Sequence, residues 1–209
     1  TLRMIKSIRL VAVVSALLGL SGCVEKTYQP SVYDNDICRV VKGNLGWTSA
    51  LQRVEREYGL PPEIALSVIS HESSFRSHAR PPRDLVLGFI PVRMRTEYGY
   101  GQIKDETWHW YLDKNPALFR SRTSFADTLG FMGWYFQQYQ SVAKPSEHLA
   151  YDFYLAYHEG QNGWKNKTYN SKKWLLDVAK NVESQANMYN SQLKKCENEL
   201  DKKGFFGIF

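Results

Sequence analysis

A carboxylic acid at the end of an apolar helix is the feature of this chain best suited to chemistry. Glu72 stands in the run His71-Glu72-Ser73-Ser74-Phe75. Upstream, Pro61 and Pro62 suit a first helical turn, and Ala65, Val68 and Ile69 recur at helical spacing with Glu72 on the same stripe. That spacing turns the carboxyl toward the core side. Apolar surroundings raise a carboxyl pKa, and a raised pKa lets the group keep a proton at neutral pH and act as a general acid. The competing reading is a solvated glutamate at a frayed helix end. Further along, Gly99-Tyr100-Gly101-Gln102 forms a glycine-rich aromatic turn. Its glycines allow backbone to approach a ligand closely, and Gln102 can both donate and accept. His71, His78, His109, His148 and His158 show no ligand spacing and no zinc-protease motif is present, so neither metal nor cofactor is expected.

The elements that must position these residues read as helices. Thr48 can cap a helix with Leu51, Val54 and Tyr58 that stops at Gly59, and the Glu72 helix follows at once. Residues 76–98 hold Pro81, Pro82, Pro91 and five arginines and read as an extended loop. Asp105 or Thr107 starts a short helix, Ser124 caps an aromatic-rich one expected to be central to the core, and Ser146 opens another. From about Ser171 to Lys203, Leu175, Ala179, Val182, Ala186, Tyr189, Leu193, Cys196 and Leu200 alternate steps of four and three, a coiled-coil seam pattern about 50 Å long. Such a helix either lies across the domain, stapled at Cys196, or offers its seam to a protein partner. No alternating run demands a sheet, so the expected fold is mainly α.

The ends of the chain speak to location. Arg3, Lys6 and Arg9 precede the apolar run Leu10 to Leu20, and Leu20-Ser21-Gly22-Cys23 resembles a bacterial lipobox. Residues 1–22 are therefore expected to be a lipoprotein signal peptide with Met4 as its start, and Cys23 the acylated residue that holds the protein to a membrane. Val24 points to the outer membrane where the organism has one. An ordinary secretory signal with a chance cysteine is the alternative. Without residues 1–22 the chain keeps 24 basic against 21 acidic residues, a balance of +3, which gives little support for nucleic-acid binding. The domain reading is a lipid-anchored tether over 23–46, one folded domain over 47–203 including the long helix, and an apolar tail over 204–209. Cys38 and Cys196 remain for one disulfide in an oxidising envelope, or for two free thiols.

Three separated pieces resemble, in order, the motifs of the soluble lytic transglycosylases, relatives of goose-type lysozyme. They are Glu72-Ser73-Ser74-Phe75, Gly99-Tyr100-Gly101-Gln102-Ile103 with Thr107 beyond it, and Ala156-Tyr157-His158-Glu159-Gly160. The match covers roughly residues 47–165. The resemblance implies a lysozyme-like α domain with a groove for peptidoglycan glycan strands, facing the periplasm. It makes Glu72 the sole catalytic acid and base, closing an anhydro ring on N-acetylmuramic acid without water. It further implies that Tyr157 hydrogen-bonds or packs beside Glu72 and fixes its rotamer, that Ser73 caps or meets the acetamido group, and that Gln102 bonds the glycan; Tyr98, Tyr100, Trp108 and Trp110 are candidates to stack on sugars, although an aromatic in such places is more often core than cleft. The chain departs from the family pattern at Tyr100-Gly101, where Leu-Met is usual, and at His158, where Asn is usual; His158 is placed to tune Glu72 if the two are close.

Two other functions compete with that reading. A hydrolase would need a second carboxylate, from Asp84, Glu97, Asp105 or Glu159. A non-catalytic envelope lipoprotein would use the fold to bind glycan or to scaffold.

Overall fold

The computed structural model describes residues 36–205, apart from 88, 93, 94, 144 and 145. The expected signal peptide 1–22, Cys23 with the tether up to residue 35, and tail residues 206–209 lie outside the described residues. In chain order the elements are α1 Ile37–Lys42, α2 Trp47–Tyr58, α3 Pro62–Ser73, strands β1 Asp84–Val86 and β2 Ile90–Val92, α4 Asp105–Lys114, α5 Phe125–Gln140, α6 Leu149–Lys165, a 3-10 turn Thr168–Ser171, and α7 Lys173–Phe205. The fold is mainly α, as expected.

Two helices form the centre. In α3, Ile64 through Ile69 are all buried, so this helix is apolar on nearly every side, and Pro62 opens it at the position where a missing N–H costs nothing. In α5, ten residues are buried, and the Ser124 side chain accepts a hydrogen bond from the Asp127 N–H. Trp47 at the head of α2 stacks flat on Phe125 at 3.6 Å between ring centroids, which locks α2 to α5. The α2 cap is Gly46 rather than Thr48, because the helix starts early enough to bury Trp47.

Helix α7 lies across the domain. Leu175, Ala179, Val182, Ala186, Tyr189, Cys196 and Leu200 are buried against the body of the protein, chiefly α3, α6 and α1. The seam is thus occupied within the chain and is not left open for a partner helix. Cys38 and Cys196 form a disulfide that ties α1 to α7. Residues 37–46 consequently belong to the folded domain: Ile37, Val40 and Val41 are buried, and the Asp36 side chain caps α1 through the Cys38 and Arg39 N–H groups. The tether expected over 23–46 therefore gives way to core by Ile37. In the segment read as a loop, β1 and β2 pair antiparallel with Leu85 opposite Pro91. Strands of three residues are too short to show alternation in sequence. Among the described residues, no helix is long and apolar enough to cross a membrane.

Candidate active site

Glu72 occupies the last turn of α3, and the backbone there turns sharply. Ser74 caps the helix at φ 50° and Phe75 follows at φ 59°, two left-handed residues in succession. Non-glycine residues hold such angles only where packing fixes them, and Phe75 is held in the core with its ring 5.9 Å from that of Trp47. This bend ends α3 beside a cleft of about 680 Å³ that Glu72 lines. Ser73 is not among the residues lining that cleft: it is only 1 % exposed, and its hydroxyl donates to the Ile69 carbonyl at 3.1 Å, so its polar group is used at the helix end.

The glycine turn is bounded by a bridge between Tyr98 and Ile103. A Cβ on Gly99 would stand 2.0 Å from the Arg122 carbonyl oxygen, and one on Gly101 would stand 2.7 Å from the Tyr157 hydroxyl. Close approach is what the glycines permit, as expected, but the neighbours are protein. Of the two places open to it, sugar platform or core, Tyr100 takes the core: it is 5 % exposed and meets Trp47 and Phe125 edge-on at 5.7 and 5.6 Å. Its place in the family pattern is an apolar one, and the aromatic ring keeps that role. Tyr98 has two guanidinium groups near its ring, Arg80 at 3.8 Å and Arg122 at 5.5 Å, and does not line the cleft. Gln102 does line it, held at φ 46° with its amide donating to the Ala79 and Gly99 carbonyls at 2.9 Å each.

Helix α6 supplies the opposite wall through Tyr157, His158, Glu159 and Gly160, where Gly160 at φ 74° interrupts the helix. The Tyr157 hydroxyl donates to the Gly101 carbonyl at 2.7 Å, which fastens α6 to the glycine turn. Tyr154, one turn earlier, is the neighbour whose hydroxyl acts on the Glu72 carboxyl and opposes the rise of its pKa. Sequence reasoning missed Tyr154, although its place three residues before Tyr157 puts both on one helix face. The floor comes from Phe131 and Tyr135 of α5, with Thr107 and Trp110 of α4. Trp108 is core, whereas Trp110 stays partly exposed over the cleft and rests edgewise on Trp134 at 4.6 Å.

Desolvation dominates the electrostatics of Glu72 and lifts its pKa from 4.5 to about 7. Tyr154 opposes the rise, and the charge of Glu97 adds to it. His158 does not enter. It bonds Glu159 at 3.1 Å, and its charge, after desolvation, helps push His71 down. Burial raises the Glu159 carboxyl, but hydrogen bonds from Lys172, Thr168 and His158 outweigh burial and hold it below the ordinary carboxylate range. Glu159 is therefore a fixed anion of the wall, whereas burial lifts Glu72 to about 7. No group of histidine, cysteine and acidic side chains suited to a metal occurs among the described residues.

A mainly α domain with a carboxyl-bearing groove between the end of one helix and a tyrosine-rich second helix defines a lysozyme-like protein. Residues 11–196 match the family described as Transglycosylase SLT domain, so the chain belongs to that family. It is a peptidoglycan lytic transglycosylase, an enzyme acting on the wall polymer of the cell envelope. Comparison with curated proteins and with solved structures returned no match.

Proposed function

We propose that Glu72 is the single general acid and base of this enzyme, cutting the bond between N-acetylmuramic acid and N-acetylglucosamine and leaving a 1,6-anhydro end. The observation that carries the proposal is the Glu72 carboxyl itself, set in the wall of the cleft at the end of α3, where desolvation pushes its pKa up to about 7. Desolvation holds the proton needed to protonate the bridging oxygen. The Tyr154 hydroxyl then stabilises the anion left behind, which suits the same carboxyl to take the proton of the C6 hydroxyl as that oxygen closes the ring. One group thus serves both halves of the reaction, and no water is required.

Gln102, Tyr157 and His158 line the same cleft as Glu72, and Trp110 offers an apolar face for a sugar ring. The protein is further proposed to be held to the periplasmic side of the envelope through lipid on Cys23, in the outer membrane where one exists. Glu72→Gln keeps the side-chain shape and removes the transferable proton. Release of soluble fragments from purified peptidoglycan by the full chain is expected to fall by at least about 10²-fold with the folded state retained; unchanged release would overturn the assignment.

A further inference from the structure

Of the twelve large apolar side chains exposed among the described residues, five fall within six positions of the β1–β2 hairpin: Leu85, Val86, Leu87, Phe89 and Ile90. None of them lines the cleft. Single apolar residues scattered over a surface are ordinary, but a contiguous group marks a contact surface. At the tip, Leu87 is 77 % and Phe89 73 % exposed. Along the ladder, Leu85 stands opposite Pro91 on one face and Val86 opposite Ile90 on the other, and all four are exposed. The two strands pack chiefly on each other and not on a helix.

Exposure on both faces decides between kinds of partner. A protein seated on the hairpin covers one face and leaves the other apolar face in water, whereas the interfacial layer of a bilayer surrounds both at once. Charge points the same way. Arg80 and Arg83 precede β1 and Arg95 follows β2, and the only acid over residues 80–95 is Asp84, which is paired with Arg95 at 3.6 Å. Apolar side chains with basic residues beside them are attracted to an anionic bilayer by burial and by charge together.

We infer that the hairpin is a lipid-contacting element: Leu85, Leu87, Phe89 and Ile90 enter the boundary between headgroups and acyl chains, and the flanking arginines are drawn to lipid phosphates. Its open strand edges hold it at that boundary, because unpaired backbone groups do not enter hydrocarbon. The base of the hairpin is tied to the cleft. The Gly99 N–H and the Gln102 amide both donate to the Ala79 carbonyl, at 3.0 and 2.9 Å, and Arg122 donates to the Thr96 carbonyl at 3.1 Å. A hairpin seated in lipid therefore sets the height and tilt of the cleft, so that glycan strands running close to the membrane are the ones that reach it. This contact is separate from the lipid proposed on Cys23, which tethers the chain without orienting it.

A benzophenone amino acid placed at Leu85 of the full chain reads the contact at the hairpin itself, whatever brings the chain to the surface. With vesicles of phosphatidylethanolamine and phosphatidylglycerol and with peptidoglycan present, irradiation is expected to join the hairpin to phospholipid. The yield should fall about 5-fold on phosphatidylcholine vesicles. Leu87→Asp together with Phe89→Asp is expected to lower the lipid yield at least about 10-fold, with thermal unfolding and turnover on soluble glycan fragments unchanged. Crosslinks to glycan, to a second copy of the chain or to nothing, in place of lipid, overturn the proposal. So does a loss of turnover on soluble fragments in the double variant, which marks a wall or lid of the cleft, and so does a lower melting temperature, which marks a hairpin packed into the fold. Equal yields on the two kinds of vesicle overturn the part given to the arginines.

Discussion

The proton on Glu72 decides the pH behaviour of the enzyme. Desolvation is the largest influence and sets a pKa of about 7, so the carboxyl is mostly protonated below that value and mostly ionised above it. The first chemical event needs the protonated form. The basic limb of the rate profile on peptidoglycan is therefore expected to fall through pH near 7, well above the range of an ordinary carboxyl; a limb that stays flat through pH 8 would show that Glu72 does not supply the proton. Glu72 was legible in the sequence because it continues the apolar stripe of Ala65, Val68 and Ile69, and a carboxyl on such a stripe must be desolvated. Its partners were harder to find. Tyr157 belongs to a recognisable motif, yet its hydroxyl goes to Gly101, and Tyr154 is the tyrosine that lowers the Glu72 pKa against burial. Which of two tyrosines on one helix face reaches a carboxyl depends on how that helix is rotated, and rotation is a property of packing between elements.

The glycine turn is the element that joins the two walls of the cleft. Gly101 lies under the Tyr157 hydroxyl and against the Thr128 methyl, which would stand 2.7 and 3.1 Å from an added Cβ. Gly101→Ala should therefore push α6 away from the turn, costing about 1–3 kcal/mol in denaturant unfolding and reducing turnover, because Tyr154 moves with Tyr157. Unchanged stability and rate would mean that the turn yields freely and does not position α6. Helix existence was well read from periodicity, and the Ser124 and Gly59 ends stand as expected. The β1–β2 hairpin and α1 were not, since each is too short to display a period of its own. Ser73 and Tyr100 follow the same rule: their types suit a binding site, but Ser73 bonds back to its own helix and Tyr100 fills the gap between Trp47 and Phe125.

At the scale of the whole molecule, the first and last described helices close on each other. The disulfide joins Cys38 to Cys196 across 158 positions, and α1 adds the burial of Ile37, Val40 and Val41. A cross-link over so long a loop constrains the unfolded chain strongly, and its reduction, or Cys38→Ala with Cys196→Ala, is expected to lower the unfolding free energy by about 2–5 kcal/mol. Equal denaturant midpoints for the reduced and oxidised protein would contradict this. The site should survive in the reduced protein that remains folded, because Glu72 and Tyr154 are held by α3 and α6. The two free thiols and the partner-binding seam that the sequence left open are thus both resolved by one long helix laid along α3, α6 and α1.

That architecture serves one reaction, and the product records which reaction it is. Purified full-length chain incubated with peptidoglycan, followed by mass spectrometry of the released sugars, tests this directly. Fragments ending in 1,6-anhydro-N-acetylmuramic acid, lighter by one water than hydrolysis products, are expected, and they should be lost with Glu72→Gln. Fragments with free reducing ends, or anhydro ends still released at the wild-type rate by Glu72→Gln, would contradict this.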